Sequence, residues 1–363
     1  MIKIGLEDLD DIALGATFLG TGGGGDPYIA TLMTRRAMIE NGPVTLLSLD
    51  ELEDDALVVS CGNLGAPTVA IEKIMGADQP AAAVLALEKH LGRSIDALLA
   101  FEAGGSNSMM PIYIAAMLGK PVIDADGMGR AFPELQMVTF SVYGVSSAPF
   151  ALASEHGDTT ILDIDDDTRA EYIARGIAIR MGARAAMASY PMDGRTARRV
   201  AIPGTTSLCQ AIGANLRESR AENREPFAAL VEMLAGTHYG HAKVLYQGKV
   251  MDLTRETRQG WAIGKVSIVD EEAAGLPLTI EFQNEFLVAR QGDVLRAMVP
   301  DLVCILDTEM AQPITTERLR YGQRVTVMAV SAPAIMRTEA ALAAFGPAAF
   351  GLADAFVPVE DLD

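Results

Sequence analysis

Hydrophobic and polar positions along the first half of the chain alternate between helical and strand-like spacing. Residues 8–19 place Ile12, Leu14, Ala16, Phe18 and Leu19 at mixed helical spacing, with acidic residues at the start that suit a helix N-terminus. After a loop at 20–27, residues 28–41 again predict a helix, with Pro27 favourable as its first residue. Residues 57–60 predict a short buried strand feeding a loop at 61–67, and 79–91 a helix. Residues 97–101 predict a strand, 109–118 a helix and 121–124 the next strand. This alternation predicts an α/β domain with a mostly parallel, helix-covered sheet. Ligands on such sheets bind beyond the carboxyl ends of strands, so the loops at 61–67, 102–108 and 124–134 are where a site belongs.

The second half has a different rhythm. Residues 171–188, 206–219 and 226–234 predict helices, and strand patterns follow at 242–246, 264–269, 278–289, 302–306 and 324–330. The expected organisation is an N-terminal α/β domain over 1–168 and a strand-rich α+β domain over 169–363, divided after the acidic stretch at 163–167. A chain of 363 residues has ample length for two such domains.

Composition narrows the partners. Net charge is −19, from 29 basic and 48 acidic side chains, and the densest basic cluster is Arg195, Arg198 and Arg199. Such a surface repels nucleic acid and anionic membranes. The apolar runs fall far short of the ~20 residues of a membrane helix, and the opening Met1-Ile2-Lys3-Ile4 has no signal-peptide pattern. We therefore expect a soluble, cytoplasmic protein. Cys61, Cys209 and Cys304 are too far apart for a local zinc cage and too few for a disulfide framework.

Two loops carry candidate chemistry. Gly20-Thr-Gly-Gly-Gly-Gly-Asp-Pro27 lacks the Gly-Lys-Ser/Thr of a phosphate loop and follows a helix, where a dinucleotide fold needs a strand. Its glycines still allow close backbone approach, so Thr21, Gly22, Gly23, Gly24, Gly25 and Asp26 are expected to present N–H donors to a substrate. Against this stands a tight structural turn between two helices.

The second loop, 122–134, begins with Asp124 and Asp126 and continues through Arg130 to Glu134. Two aspartates at strand spacing face the same side, where they suit general acid–base work or a shared divalent metal. The competing reading is a helix cap at Asp124 and an Asx-turn at Asp126. Glu102 and Asn107, beyond the neighbouring strand, are expected to complete the constellation. His238 and His241 lack the glutamate of a helical zinc motif and favour a surface or strand-edge role. In Glu281-Phe-Gln-Asn-Glu285, polar groups interrupt an apolar strand, and they face either the interdomain site or solvent.

With these residues in view, the sequence resembles the S-methyl-thiohydantoin desulfurase family, long associated with hydantoinase and oxoprolinase genes in bacteria. The resemblance is carried by Gly20–Tyr28, Gly65-Ala-Pro-Thr-Val69, Glu102-Ala-Gly-Gly-Ser-Asn107 and the 124–134 loop. It continues through Pro203-Gly-Thr205, Gln283-Asn-Glu285, Pro300-Asp-Leu302 and 316–322. It implies a hydrolase that releases methanethiol from an S-methyl-thiohydantoin to leave a hydantoin, and the placement of the loops then makes Asp124 or Asp126 the expected base or metal ligand and Glu102 the second carboxylate. Thr21 to Asp26, Asn107, Arg130 and Glu134 would bind the heterocyclic substrate. The same loops would serve another hydantoin or lactam hydrolase or isomerase. They are also compatible with a non-catalytic partner subunit of a hydantoinase or oxoprolinase complex, or with a homo-oligomer.

Overall fold

The computed structural model describes residues 2–65, 75–258, 261–270 and 275–363. Alternating apolar runs assemble a first sheet from β1 (Ile2–Ile4), β2 (Val44–Leu47), β3 (Leu57–Gly65), β4 (Ala97–Ala100) and β5 (Val122–Ile123). A short ladder joins β6 (Ala125–Asp126) to a later strand, and β7 (Phe150–Ala153), β8 (Thr159–Leu162) and β9 (Arg184–Asp193) complete the sheet. Its order is β1-β2-β5-β4-β3-β9-β7-β8. Strands β2, β5, β4 and β3 are parallel, whereas β1 and the β9-β7-β8 flank are antiparallel. The domain is α/β as the pattern predicts, but its sheet is mixed rather than mostly parallel.

Helices pack on this sheet, on one another and, through the last of them, on the second sheet. They are α1 (Leu9–Leu19), α2 (Tyr28–Asn41), α3 (Gln79–Leu91), α4 (Gly105–Leu118), α5 (Thr139–Val142), α6 (Asp167–Arg180), α7 (Gly194–Val200), α8 (Thr205–Ala221) and α9 (Pro226–Ala235). Helix α4 is buried nearly all round, from Met109 to Ala116. Helices α1 and α8 cross so closely that a methyl group on Gly15 or Gly213 would enter the other helix's backbone. The small ladder pairs β6 with β10 (Ile202–Pro203).

A second, antiparallel sheet follows the order β15-β14-β13-β12-β11-β17-β16. Its strands are β11 (Ala242–Arg258), β12 (Trp261–Val269), β13 (Leu278–Gln283), β14 (Glu285–Gln291), β15 (Val294–Met298), β16 (Leu302–Asp307) and β17 (Arg324–Val330). Its interior is a separate apolar cluster that includes Val266, Ile280, Phe282, Phe286 and Val327. No described helix is long and apolar enough to cross a membrane.

Three element boundaries differ from expectation for physical reasons. The helix expected over 171–188 ends at Arg180, and Ala185, Ala186 and Ala188 are fully buried in β9, where pairing with β3 overrides helix preference. The loop expected at 61–67 is strand through Gly65, while 66–67 lie outside the described residues. The strand expected over 278–289 breaks at Asn284, whose φ of 60° makes a tight turn between β13 and β14. Residues beyond 168 thus contribute to the first sheet through β9.

Candidate functional site

A cavity of about 350 Å³ opens beyond the carboxyl ends of β3 and β4, where the parallel strands predict a site. Residues from both halves of the chain line it. Gly24, Gly25 and Asp26 form one wall, Glu102, Ser106 and Asn107 a second, and Asn284 and Glu285 reach in from the second sheet. Ile29, Met33, Leu64, Met75 and Phe132 supply apolar surface.

The glycine loop is the seam between the two halves. Phe286 N–H donates to Thr21 O at 2.7 Å, Thr316 N–H to Gly22 O at 2.9 Å, and Ser106 N–H to Gly25 O at 2.9 Å. A side chain on Gly22 would meet the Phe286 ring at 2.6 Å, and one on Gly23 would collide with the Glu285 carboxylate. Gly22 and Gly23 therefore lack side chains so that two surfaces can touch, and with Thr21 they do not line the cavity. Gly24 and Gly25 do reach it, and their N–H groups meet no acceptor among the described residues.

Arg130 rivets this seam. Fully buried, it donates to Thr21 Oγ1 at 2.7 Å, Phe286 O at 3.0 Å, Asp301 O at 2.8 Å, Pro300 O at 3.2 Å and Ala131 O at 3.1 Å. All of these acceptors are protein groups, so its guanidinium is committed to holding the loops.

The two aspartates are tied into the backbone. Asp124 accepts Ser207 N–H at 2.9 Å and Ser207 Oγ–H at 2.5 Å, in the first turn of α8. Asp126 is fully buried, and its Oδ2 accepts the N–H groups of Ala103, Met128 and Gly129 at 2.7–2.9 Å. Burial raises Asp126 to about 7 against the pull of those N–H groups. Neither aspartate lines the cavity. Glu134 accepts from the Gln136 amide and also stays off the wall, although Phe132 and Pro133 beside it are on it. Among the described residues, no three His, Cys, Asp or Glu side chains are arranged to hold a metal ion.

Glu102 is the carboxylate the cavity receives. It is only 4% exposed, with Oε1 accepting the Asn107 amide at 2.7 Å. Asn107 is itself fixed by Asn63, whose N–H donates to its Oδ1 at 3.0 Å. Burial pushes Glu102 up to about 8, opposed by Asn107 and the Phe132 N–H and reinforced by Asp126. Glu285 sits against Gly23 and is 2% exposed. Burial, and then the charge of Glu102, hold its carboxyl well above the usual range. The turn that aims it is pinned by Ala262 N–H to Asn284 Oδ1 at 2.9 Å and Thr316 Oγ1 to Asn284 O at 2.7 Å.

Three arginines complete the wall. Arg175 pairs with Glu171 and stacks on Trp261 at 3.8 Å. Arg318 pairs with Asp26, with Nε at 2.6 Å. Arg184, opposite Gly65 in the β3–β9 ladder, meets no acceptor among the described residues, and burial lowers its pKa.

Sequence comparison reads the same chain as a whole. Residues 7–164 match the model of the S-Me-THD-like N-terminal domain, and 165–359 that of the S-Me-THD-like C-terminal domain. The chain belongs to the S-Me-THD-like family. A crystal structure of a protein from Chromobacterium violaceum resembles this S-Me-THD-like chain with a TM-score of 0.83 at 25% identity, over 99% of this chain and 100% of that one. A comparison with curated proteins finds no match.

Of the residues singled out in this S-Me-THD-like sequence, the fold brings Glu102, Asn107, Gly24, Gly25 and Asp26 to one cavity. It adds Glu285 and Arg184. Glu285 had a sequence signal, a carboxylate interrupting an apolar strand. Arg184 had none, because its segment reads as helix.

Proposed function

We propose that this cavity is the active site of a hydrolase that removes methanethiol from an S-methyl-thiohydantoin and leaves a hydantoin. Family membership supports the substrate class. The observation that carries the chemistry is Glu102, a buried carboxyl oriented by Asn107 on the wall of a cavity large enough for a small heterocycle.

The substrate's ring carbon lies between two nitrogens and bears the methylthio group. In its ionised form Glu102 takes a proton from water as the new C–O bond forms. It returns that proton to sulfur as the C–S bond breaks, so methanethiol leaves neutral. The N–H groups of Gly24 and Gly25 donate to charge building on the ring's polar atoms. Ile29, Met33, Leu64 and Phe132 receive the apolar face, and Arg184 offers a cation to an anionic substituent. Asp124 and Asp126 act on the loops and not on the water.

The test is turnover of S-methyl-thiohydantoin by the purified chain, with methanethiol trapped by a thiol reagent and hydantoin identified by mass. Release of both in equal amount is expected. Ring opening of plain hydantoin with no methanethiol from the S-methyl compound would replace this reading with a cyclic-amide hydrolase.

A further inference from the structure

Glu285 is not needed by the water-activating step above, yet it is one of the most completely buried carboxyls on the cavity wall. Its Oε2 has no hydrogen-bond partner among the described residues. Arg130, the cation whose charge acts on Glu285, spends its donors on Thr21 and four carbonyl oxygens, so it supplies charge without an N–H bond. Glu285 packs on Gly23 while Glu102 packs on Gly104, and Gly24 touches Gly104 between them. The two carboxyls therefore flank one backbone contact and face one cavity from opposite halves of the chain.

We infer that Glu285 and Glu102 form a proton-sharing pair in which Glu285 is the proton donor to the ring nitrogen of the substrate. The inference rests on the proposed hydrolysis and completes its proton balance. When water adds, Glu102 takes one water proton and Glu285 gives its proton to the ring nitrogen as the C=N bond becomes single. When the adduct collapses, its hydroxyl returns a proton to Glu285, the C=O bond forms, and Glu102 protonates the departing sulfur. Water and the S-methyl ring become the hydantoin and methanethiol, and both carboxyls end as they began.

A buried pair of carboxyls disfavours double ionisation, so one proton is retained when the first is lost. The charged groups facing Glu285 are Glu102 across the cavity, Arg130 from the 124–134 loop and Glu317 from the turn after β16. Asp126 faces Glu102 from behind, and Asp26 faces Glu317. Asp26 is itself paired with Arg318, so the charges acting on Glu285 are Glu102 and Glu317 against Arg130, and burial adds to the two carboxylates in favouring retention of a proton.

The experiment has two arms on the full chain. Isotope-edited NMR of the glutamate carboxyl carbons, with Glu285 assigned by its loss in Glu285→Gln, follows the pair in the absence of substrate. Glu285 is expected to keep its proton above neutral pH, and Glu102→Gln is expected to lower its midpoint by removing the neighbouring charge. Titration in the ordinary acidic range of about 4 would overturn the inference, as would a midpoint indifferent to Glu102→Gln.

In the second arm, kcat/KM is measured against pH with S-methyl-thiohydantoin. Glu285→Gln is expected to lose roughly 10²–10⁴-fold in kcat together with the alkaline limb of the profile, and Glu285→Asp to restore part of both. Wild-type rate and limb in Glu285→Gln would overturn the donor role. If Glu285→Gln does not fold, Glu285→Asp and the wild-type titration decide. Wild-type protein that releases no methanethiol would sink the proposed reaction alone, and the titration would still decide the pair.

Discussion

Asp126 Oδ2 accepts the N–H of Ala103 at 2.8 Å, immediately beside Glu102 in sequence. The same oxygen accepts Met128 and Gly129, so one buried atom fixes the loop that carries Glu102 to the loop that carries Arg130. Asp126 is thereby a positioning residue. Asp126→Asn either turns its NH2 toward those three donors or buries it where Oδ1 has no hydrogen-bond partner among the described residues, and it gives up the carboxylate charge that strengthens the three bonds. A stability loss of about 1–3 kcal/mol is expected, with kcat falling more than KM rises, measured by urea unfolding and steady-state kinetics.

Asp124 gives the contrasting case. It caps the first turn of α8 through Ser207 and stands off the cavity. Asp124→Ala should cost about 1 kcal/mol, as other helix caps do, and leave methanethiol release close to wild type. Loss of turnover in a well-folded Asp124→Ala protein would return this residue to the chemistry.

Gly23 and Gly25 separate close packing from ligand access. A methyl group on Gly23 collides with Glu285, whereas on Gly25 the nearest atom is Ser106 Cβ at 3.7 Å, with a φ of +76° to strain. Gly25→Ala is expected to cost roughly 1–2 kcal/mol from its backbone conformation. Gly23→Ala should destabilise more and disturb the seam, seen as a lower melting temperature and early proteolysis between the two halves.

Arg184 should behave in the opposite sense. Its guanidinium is largely buried with no acceptor among the described residues, so Arg184→Met removes a desolvated charge. The melting temperature is expected to stay or rise while KM for a substrate with an anionic substituent rises about 10–100-fold, the range of a charge-assisted hydrogen bond. A fall in stability with unchanged KM would make Arg184 structural.

The pH dependence of stability follows from three carboxyls. Glu102 and Asp126 are raised to about 8 and about 7, so the folded state binds their protons more tightly than the unfolded chain does. Their contribution is fully present below the unfolded values of about 4 and is lost as pH rises through 7 to 8. Glu360, held at about 2 by Arg337, contributes above its unfolded value and fails as pH falls toward 2. Urea midpoints should therefore be highest near about pH 5, lower at about pH 8.5 and lower again below about pH 4. A midpoint that rises steadily to pH 8.5 would contradict the burial of Glu102 and Asp126.

Periodicity alone placed α2, α3 and β17, because their apolar spacing is local and their packing agrees with it. Sequence reading also singled out Gly24, Gly25, Glu102 and Asn107, which line one cavity, since glycine runs and carboxylates after buried strands are visible one residue at a time. What it left open was which carboxylate meets a cavity. Asp124 and Asp126 read like a catalytic pair, but both are taken up by N–H donors from Ala103, Gly129 and Ser207, residues near and far in the chain. Only tertiary structure brings Glu285 across to Gly23 and turns an alanine-rich segment into the strand that holds Arg184. The physical reason is that burial and hydrogen-bond competition are set by neighbours distant in sequence, and those two quantities decide whether a polar side chain binds the protein or is left free to bind something else.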